Sequence, residues 1–326
     1  MRWPCDREGC TFGDSGVCAR AAEFTSPETE CVDYLASKPV AALEVSGPTR
    51  ETFPVWSGDA LGPEFASRMD LATPPLRVLI AGPPSSGKTS LLTAQFLDLD
   101  RLPSTTLPAQ FAGSYTLYGY DRLCDTAFRW KEGGGTAMPH TGRGSGRDPA
   151  WLHLALKFPN TCRVRHLLLS DMPGELFTAW SGDADALPLS LQSSVDAYWL
   201  VLDASKAKEK VQRSAAQDLL RRIAQATPSR SVEVILTKVD QVMQISDSTS
   251  PEEVLAAVPE LVRDLGHAWG RDNHLQFTPV ASYFGENKRL GWRTLEPIRH
   301  LLQYQRDAAP IAHARRSRRY VDYVGA

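Results

Sequence analysis

The stretch Gly82-Pro83-Pro84-Ser85-Ser86-Gly87-Lys88-Thr89 fits the pattern GxxxxGK[ST] without a gap. It follows an apolar run at 77–81 and opens a helical run at 90–98, the strand–loop–helix context that a phosphate-binding loop requires. Two glycines let the backbone curl until successive N–H groups face one point, and the start of the helix adds partial positive charge there. In such a loop Lys88 bridges the β- and γ-phosphates and the Thr89 hydroxyl binds Mg²⁺. The candidate phosphate contacts are therefore Gly82, Pro83, Ser85, Ser86, Gly87, Lys88, Thr89 and Ser90. The loop alone does not separate ATP from GTP.

Outward from the loop, apolar runs recur at 77–81, 151–158, 164–170, 198–203, 232–237 and 277–281, giving six expected strands. Helical patterns fall between them at 88–98, 206–226, 251–269 and 293–304, with Leu219, Leu220 and Ile223 on one face of the second. Such alternation predicts a parallel α/β sheet with helices on both faces. The runs 151–158 and 164–170 are separated by five residues, too few for a helical crossover, so they are expected to form an antiparallel hairpin at the sheet edge. The interval 90–150 exceeds what one helix and a loop need, and its middle reads as an extra helix at about 115–132. Six glycines within 133–146 predict a mobile segment.

Three further motifs follow in order. Asp171-Met-Pro-Gly174-Glu175 places DxxG at the tip of the run 164–170. Thr237-Lys238-Val239-Asp240 ends the run 232–237, and Thr278-Pro-Val-Ala281-Ser282 ends the last one. A carboxylate at Asp240 can accept two hydrogen bonds from guanine N1–H and N2–H₂, a donor pair that adenine lacks on that edge. Taken together, residues 77–305 resemble a P-loop GTPase of the Ras-like, translation-factor-related (TRAFAC) class.

That resemblance implies GTP/GDP and Mg²⁺ as ligands, with Asp171 holding a Mg²⁺-bound water and the Gly174 amide sensing the γ-phosphate. It gives Lys238 a place along the purine face, and makes Ala281 and Ser282 candidates for backbone N–H contact with guanine O6. Where the Ras group has a Gln that orients the attacking water, this chain has Glu175. Hydrolysis is accordingly expected to be slow or to depend on a group supplied by a partner. The switch threonine that completes the Mg²⁺ shell falls best on Thr141, with Thr136 in reserve. Thr237 stands where Asn is commoner, and its shorter hydroxyl is expected to reach the phosphate loop less well.

The first 70 residues read as a small cysteine-rich module and linker, residues 71–308 as the GTPase domain, and 309–326 as a basic tail. Cys5, Cys10, Cys18 and Cys31 supply enough thiolates for a Zn²⁺ site, but the spacing lacks tight CxxC pairs; reduced structural thiols and disulfides remain alternative readings. Formal charge is −2, from 36 basic against 38 acidic residues, so no global field favours nucleic acid or a membrane surface. Nucleic acid contact would be confined to the basic run His313–Arg319. No apolar run approaches the roughly 20 residues of a membrane span, and the charged start of the chain argues against a signal peptide. A cytoplasmic location is expected.

Within the class, the cysteine-bearing N-terminus and the inserted helix look like the bacterial double-GTPase families, which are associated with multi-protein systems. The leading expectation is a GTP-binding switch whose loops are read by an effector or by other subunits. Two alternatives stand beside it. One is a nucleotide-dependent assembly subunit with little hydrolysis; the other is a P-loop ATPase in which the TKVD match is accidental.

Overall fold

A computed structural model describes residues 10–23, 26, 30, 31, 33, 34, 58–62, 65, 66, 69, 74–101, 107–129, 150–159, 164–226, 230–270, 275–282 and 291–307. Two compact units divide the chain, residues 1–55 and 56–326. In the larger one Leu61 forms a bridge with Trp151, so the segment just ahead of the first strand belongs to the sheet-bearing unit.

That unit is built on a sheet of strands β1 (Leu76–Ala81), β2 (Gln110–Gly113), β3 (Trp151–Lys157), β4 (Val164–Ser170), β5 (Ala197–Asp203), β6 (Ser231–Thr237) and β7 (Gln276–Pro279). Their spatial order is β2-β3-β4-β1-β5-β6-β7. β3 runs antiparallel to both β2 and β4, and the pairs from β4 through β7 are parallel. Six strands were expected; among the described residues seven are present. The added strand, β2, covers the outer side of β3, so the predicted hairpin lies inside the sheet. A short strand whose one large apolar residue is Phe111, and whose pairing shifts register before Gly113, carries little periodic signal.

The strand residues are buried on both faces because helices cover both. On one face Leu79, Tyr198, Leu200, Val234 and Leu236 pack with Phe177, Trp180, Leu219, Leu220, Ile223 and Leu265. On the other Val78, Ile80, Leu154, Leu169, Trp199 and Ile235 pack with Leu91, Leu92, Tyr120, Ile298 and Leu301. The alternation Val78, Leu79, Ile80, Ala81 divides β1 between these two cores, which is why its sequence reads as a continuous apolar run.

The helices that matter for the site are α1 (Lys88–Arg101), α2 (Leu117–Arg129), α3 (Gly174–Gly182), α4 (Leu189–Ser194) and α5 (Lys210–Ala226). α5 buries Ala216, Leu219, Leu220 and Ile223, the i, i+3, i+4, i+7 stripe of an amphipathic helix. Helix α2 is the extra helix read from the sequence. The single helix expected over 251–269 is two, α6 (Pro251–Ala256) and α7 (Pro259–Trp269). Pro259 lacks the N–H that would continue α6 and instead starts α7. A capping box between Ser250 and Glu253 fixes the start of α6. Helix α8 (Glu296–Asp307) closes the domain.

In the smaller unit a single helical turn, Phe12–Ser15, is closed by Gly16 at φ 76°. Phe12 meets Tyr34 edge-on at 4.8 Å, and Cys18 and Cys31 are buried beside them with Cys10 against the cluster. Cys10, Cys18 and Cys31 are thiols; Cys5 lies outside the described residues. Among the described residues no group of three or more His, Cys, Asp or Glu is arranged to hold a metal ion. No helix among the described residues is long and apolar enough to cross a membrane. The basic tail and the glycine-rich segment 133–146 lie outside the described residues.

Candidate nucleotide-binding site

Strand β1 delivers the chain into the loop 82–87 at the C-terminal edge of the sheet, and α1 begins at Lys88. Sterics explain both glycines. A Cβ on Gly82 would stand 2.3 Å from the Val201 carbonyl oxygen. Gly87 adopts φ +90°, where a side chain would also press on Thr237 at 3.1 Å. Between them Ser85 takes the left-handed conformation, φ 60°, at the exposed crest of the loop. Ser86 is buried and its hydroxyl has no hydrogen-bond partner among the described residues. Ser90 lies half-buried in the first turn of α1.

Lys88 is buried and folds back over this loop, donating from Nζ to Gly82 O at 2.9 Å and Pro83 O at 3.0 Å. Burial pushes its pKa down from 10.5 to about 8, while the carboxylates of Asp171 and Glu175 oppose that fall. An ammonium whose hydrogen bonds among the described residues go to carbonyls is poised to take an anion. The Thr89 hydroxyl donates to Asp171 Oδ1 at 3.3 Å. Thr89 lies in the first turn of α1 and Asp171 follows β4, so two adjacent parallel strands, β1 and β4, bring a hydroxyl and a carboxylate together. Paired hard oxygens of this kind, beside a glycine cradle, suit Mg²⁺.

Gly174 starts α3 directly against the loop: a Cβ there would lie 2.3 Å from Pro84 N. Glu175 occupies the first turn of α3. The DxxG segment and the phosphate loop are thus in contact, and only a glycine admits that approach.

From the other side β6 ends in Thr237. Its Oγ1 donates to Ser86 O at 2.6 Å, with Leu202 O also in range at 3.1 Å. The sequence-based expectation that a threonine hydroxyl would reach the phosphate loop less well is therefore corrected. Gly87 makes this reach possible, because it removes the side chain that would otherwise hold Thr237 away. Lys238, in the left-handed region at φ 55°, donates from Nζ to Ser85 O at 2.8 Å and to Asp203 Oδ2 at 2.6 Å. Asp240 follows in the turn Val239–Gln241 and is exposed. Packing around it raises its carboxyl pKa, with a backbone hydrogen bond and Lys238 opposing and Asp203 adding to the rise.

The last motif lies past β7, where Val280 N donates to Leu236 O and keeps the chain beside β6. Ala281 exchanges backbone hydrogen bonds with Trp292, its own N–H going to Trp292 O at 3.1 Å. Ala281, read from the sequence as a candidate N–H donor to a base, thus has its amide paired with Trp292 in this structure. Ser282 is next in the chain, and its buried Oγ has no partner among the described residues.

Gly82, Pro83, Ser85, Ser86, Lys88, Thr89, Asp171, Gly174, Thr237 and Lys238 therefore form one contact network. Thr141 and Thr136 lie outside the described residues. Asp203 was missed by sequence reading. Its signal was an acidic residue ending a wholly apolar strand, which is ambiguous without knowing that β5 neighbours β6.

Among solved structures, the elongation factor SelB of Methanococcus maripaludis in complex with the GTP analogue GppNHp matches with TM-score 0.37 and 14% identity, over 73% of this chain and 35% of that one. Sup35 complexed with GDP matches with TM-score 0.34 and 15% identity, over 65% of this chain and 38% of that one. The chain thus spans little more than a third of either. A search of curated proteins finds no match. A family model, Double-GTPase 2, matches residues 77–290, about two thirds of the 326 residues, from β1 to beyond β7 and across every motif described above. The chain belongs to the Double-GTPase 2 family.

Proposed function

We propose that this chain is a GTP-dependent molecular switch that hydrolyses GTP slowly, or at a useful rate only with a partner's help, within a multi-protein assembly. The observation that carries the reading is the link between two loops. Thr237 and Lys238 hold the carbonyls of Ser86 and Ser85, so the loop bearing the base-reading Asp240 and the loop bearing Lys88 are one unit.

In this reading Lys88 exchanges its carbonyl partners for phosphate oxygens, and Thr89 and Asp171 hold Mg²⁺, which supplies charge neutralisation at the phosphates. Gly174 offers its amide to the γ-phosphate, and Thr141 is proposed to complete the switch. Asp240 and the Ser282 amide read the guanine edge. Glu175 sits beside this region as a carboxylate, and its charge repels a γ-phosphate instead of orienting water. That charge also favours a second reading, an assembly subunit in which bound GTP is structural.

Phosphate release separates the two. A switch predicts low intrinsic turnover of the wild-type chain, rising on addition of cell extract. Glu175→Gln is predicted to raise the intrinsic rate about tenfold, the usual weight of one water-positioning group being at least that. No phosphate release from either protein, with or without extract, would favour the assembly subunit.

A further inference from the structure

We propose that Asp203 is a positioning residue for guanine recognition, holding Lys238 so that the base-reading loop is already formed before nucleotide arrives. The inference rests on the proposed GTP reading and concerns how the same site gets its specificity.

Asp203 closes β5 and lies in register with Thr237, the last residue of β6. The residue after Thr237 is Lys238, so the strand pairing sets a carboxylate beside the first residue of the base loop. Asp203 Oδ2 accepts from Lys238 Nζ at 2.6 Å, and Asp203 retains 7% of its side-chain exposure. Among the described residues Lys238 is the cation paired with it. A carboxylate taken out of water at this depth needs such a partner.

The same ammonium donates to Ser85 O at 2.8 Å. Two non-glycine residues in the left-handed region, Ser85 at φ 60° and Lys238 at φ 55°, are thus joined through one side chain. Neither conformation is favoured by an L-residue, and each persists only where surrounding contacts hold it. Thr237 bonds the next carbonyl, Ser86 O, but its short side chain cannot hold Lys238. The long lysine stem needs an anchor at its end, and Asp203 supplies it. Because Asp240 lies two residues beyond Lys238, fixing the backbone of Lys238 fixes where the guanine-reading carboxylate begins.

The two oxygens of Asp203 have separate tasks, which allows a clean test. Oδ1 accepts from Ser205 N at 3.0 Å and Ser205 Oγ at 2.6 Å and caps the short turn Ala204–Lys206. Oδ2 takes the ammonium. Asp203→Asn keeps an oxygen for the cap and loses the charge pair; Ser205→Ala weakens the cap and leaves the pair.

The experiment measures affinities of the full chain with Mg²⁺ for GTP, inosine triphosphate and ATP, with thermal melts as a folding control. Inosine lacks the 2-amino group that Asp240 would accept from, so the GTP-to-ITP ratio reports the placement of that carboxylate. Asp203→Asn is expected to weaken GTP binding about tenfold, the scale of one charge-assisted hydrogen bond, and to shrink the GTP-to-ITP ratio about threefold or more. Ser205→Ala is expected to leave both within about twofold. Should Asp203→Asn melt below the assay temperature, Asp203→Ser, which also removes the charge and leaves an oxygen near the cap, carries the test with the same expected losses. An unchanged ratio in the folded variant, or an equal loss in Ser205→Ala, overturns the role of Asp203 while leaving GTP recognition intact. A wild-type chain with no preference for GTP over ATP overturns the guanine reading itself, and this inference with it.

Discussion

Lys88 carries the pH signature that bears on the phosphate loop. Its pKa is depressed to about 8 by burial, from an ordinary 10.5, and a bound phosphate group would restore the charged form. Below pH 8 the ammonium is already present in the free site, so GTP affinity should be flat. Above pH 8 binding must take up a proton, and affinity should fall with rising pH by up to about tenfold per unit until the bound-state pKa is reached. Fluorescence titration between pH 7 and 10 checks this. Affinity that rises, or does not change, across that interval contradicts a role for the Lys88 ammonium at the phosphates. At this scale the sequence was informative because the chemistry is local. Gly82, Gly87, Lys88 and Thr89 sit in one octapeptide, and their spacing alone implies a backbone cradle. Asp203 and the spent amide of Ala281 were not legible, since each depends on a neighbour far along the chain, Lys238 and Trp292 respectively.

Among elements, the inserted helix α2 shows where pattern reading succeeds and where it stops. An extra helix at about 115–132 was expected there, and Tyr120, Cys124 and Ala127 are buried on one face of α2. Its partner was not visible: the backbone of Asp59 lies against Gly119, where a Cβ would stand 1.8 Å from the Asp59 carbonyl oxygen. Arg122 adds a salt bridge to the Asp59 carboxylate at 2.8 Å. Gly119→Ala sets two effects against each other. Helix propensity favours the alanine by about 1 kcal/mol, whereas backbone overlap in a packed contact costs about 1–3 kcal/mol. The overlap is with main chain, which cannot rotate away, so the cost wins. The variant should melt several degrees below wild type while binding GTP within about twofold, because α2 contributes nothing to the loop network. A melt at or above the wild-type temperature would show that the segment around Asp59 yields freely. Strand β2 and helices α3 and α4 escaped sequence reading for a shared reason. Each is short, and four to nine residues give periodicity too few repeats to stand out.

For the whole molecule, the sheet order explains why four motifs scattered over some 200 residues meet at one edge. The parallel strands β4, β1, β5, β6 and β7 all point their C-terminal ends the same way, and the DxxG, phosphate-loop, Asp203, TKVD and Ala281-Ser282 segments follow those ends in spatial order. Ligands of open parallel sheets lie outside those ends. Alternating helices and strands forecast the arrangement, and burial of each strand on two faces enforces it.

This edge is proposed to cradle a triphosphate and to select guanine. Calorimetric titration of the full chain with GTP and with ATP, each with Mg²⁺ and with chelator, tests it directly, with Asp240→Ala alongside. GTP is expected to bind more tightly than ATP by on the order of a hundredfold, as two hydrogen bonds to a carboxylate allow. Weaker GTP binding is expected when Mg²⁺ is removed, as is loss of the purine preference in Asp240→Ala with ATP affinity unchanged. Equal affinity for the two nucleotides, or a preference that survives Asp240→Ala, would contradict it.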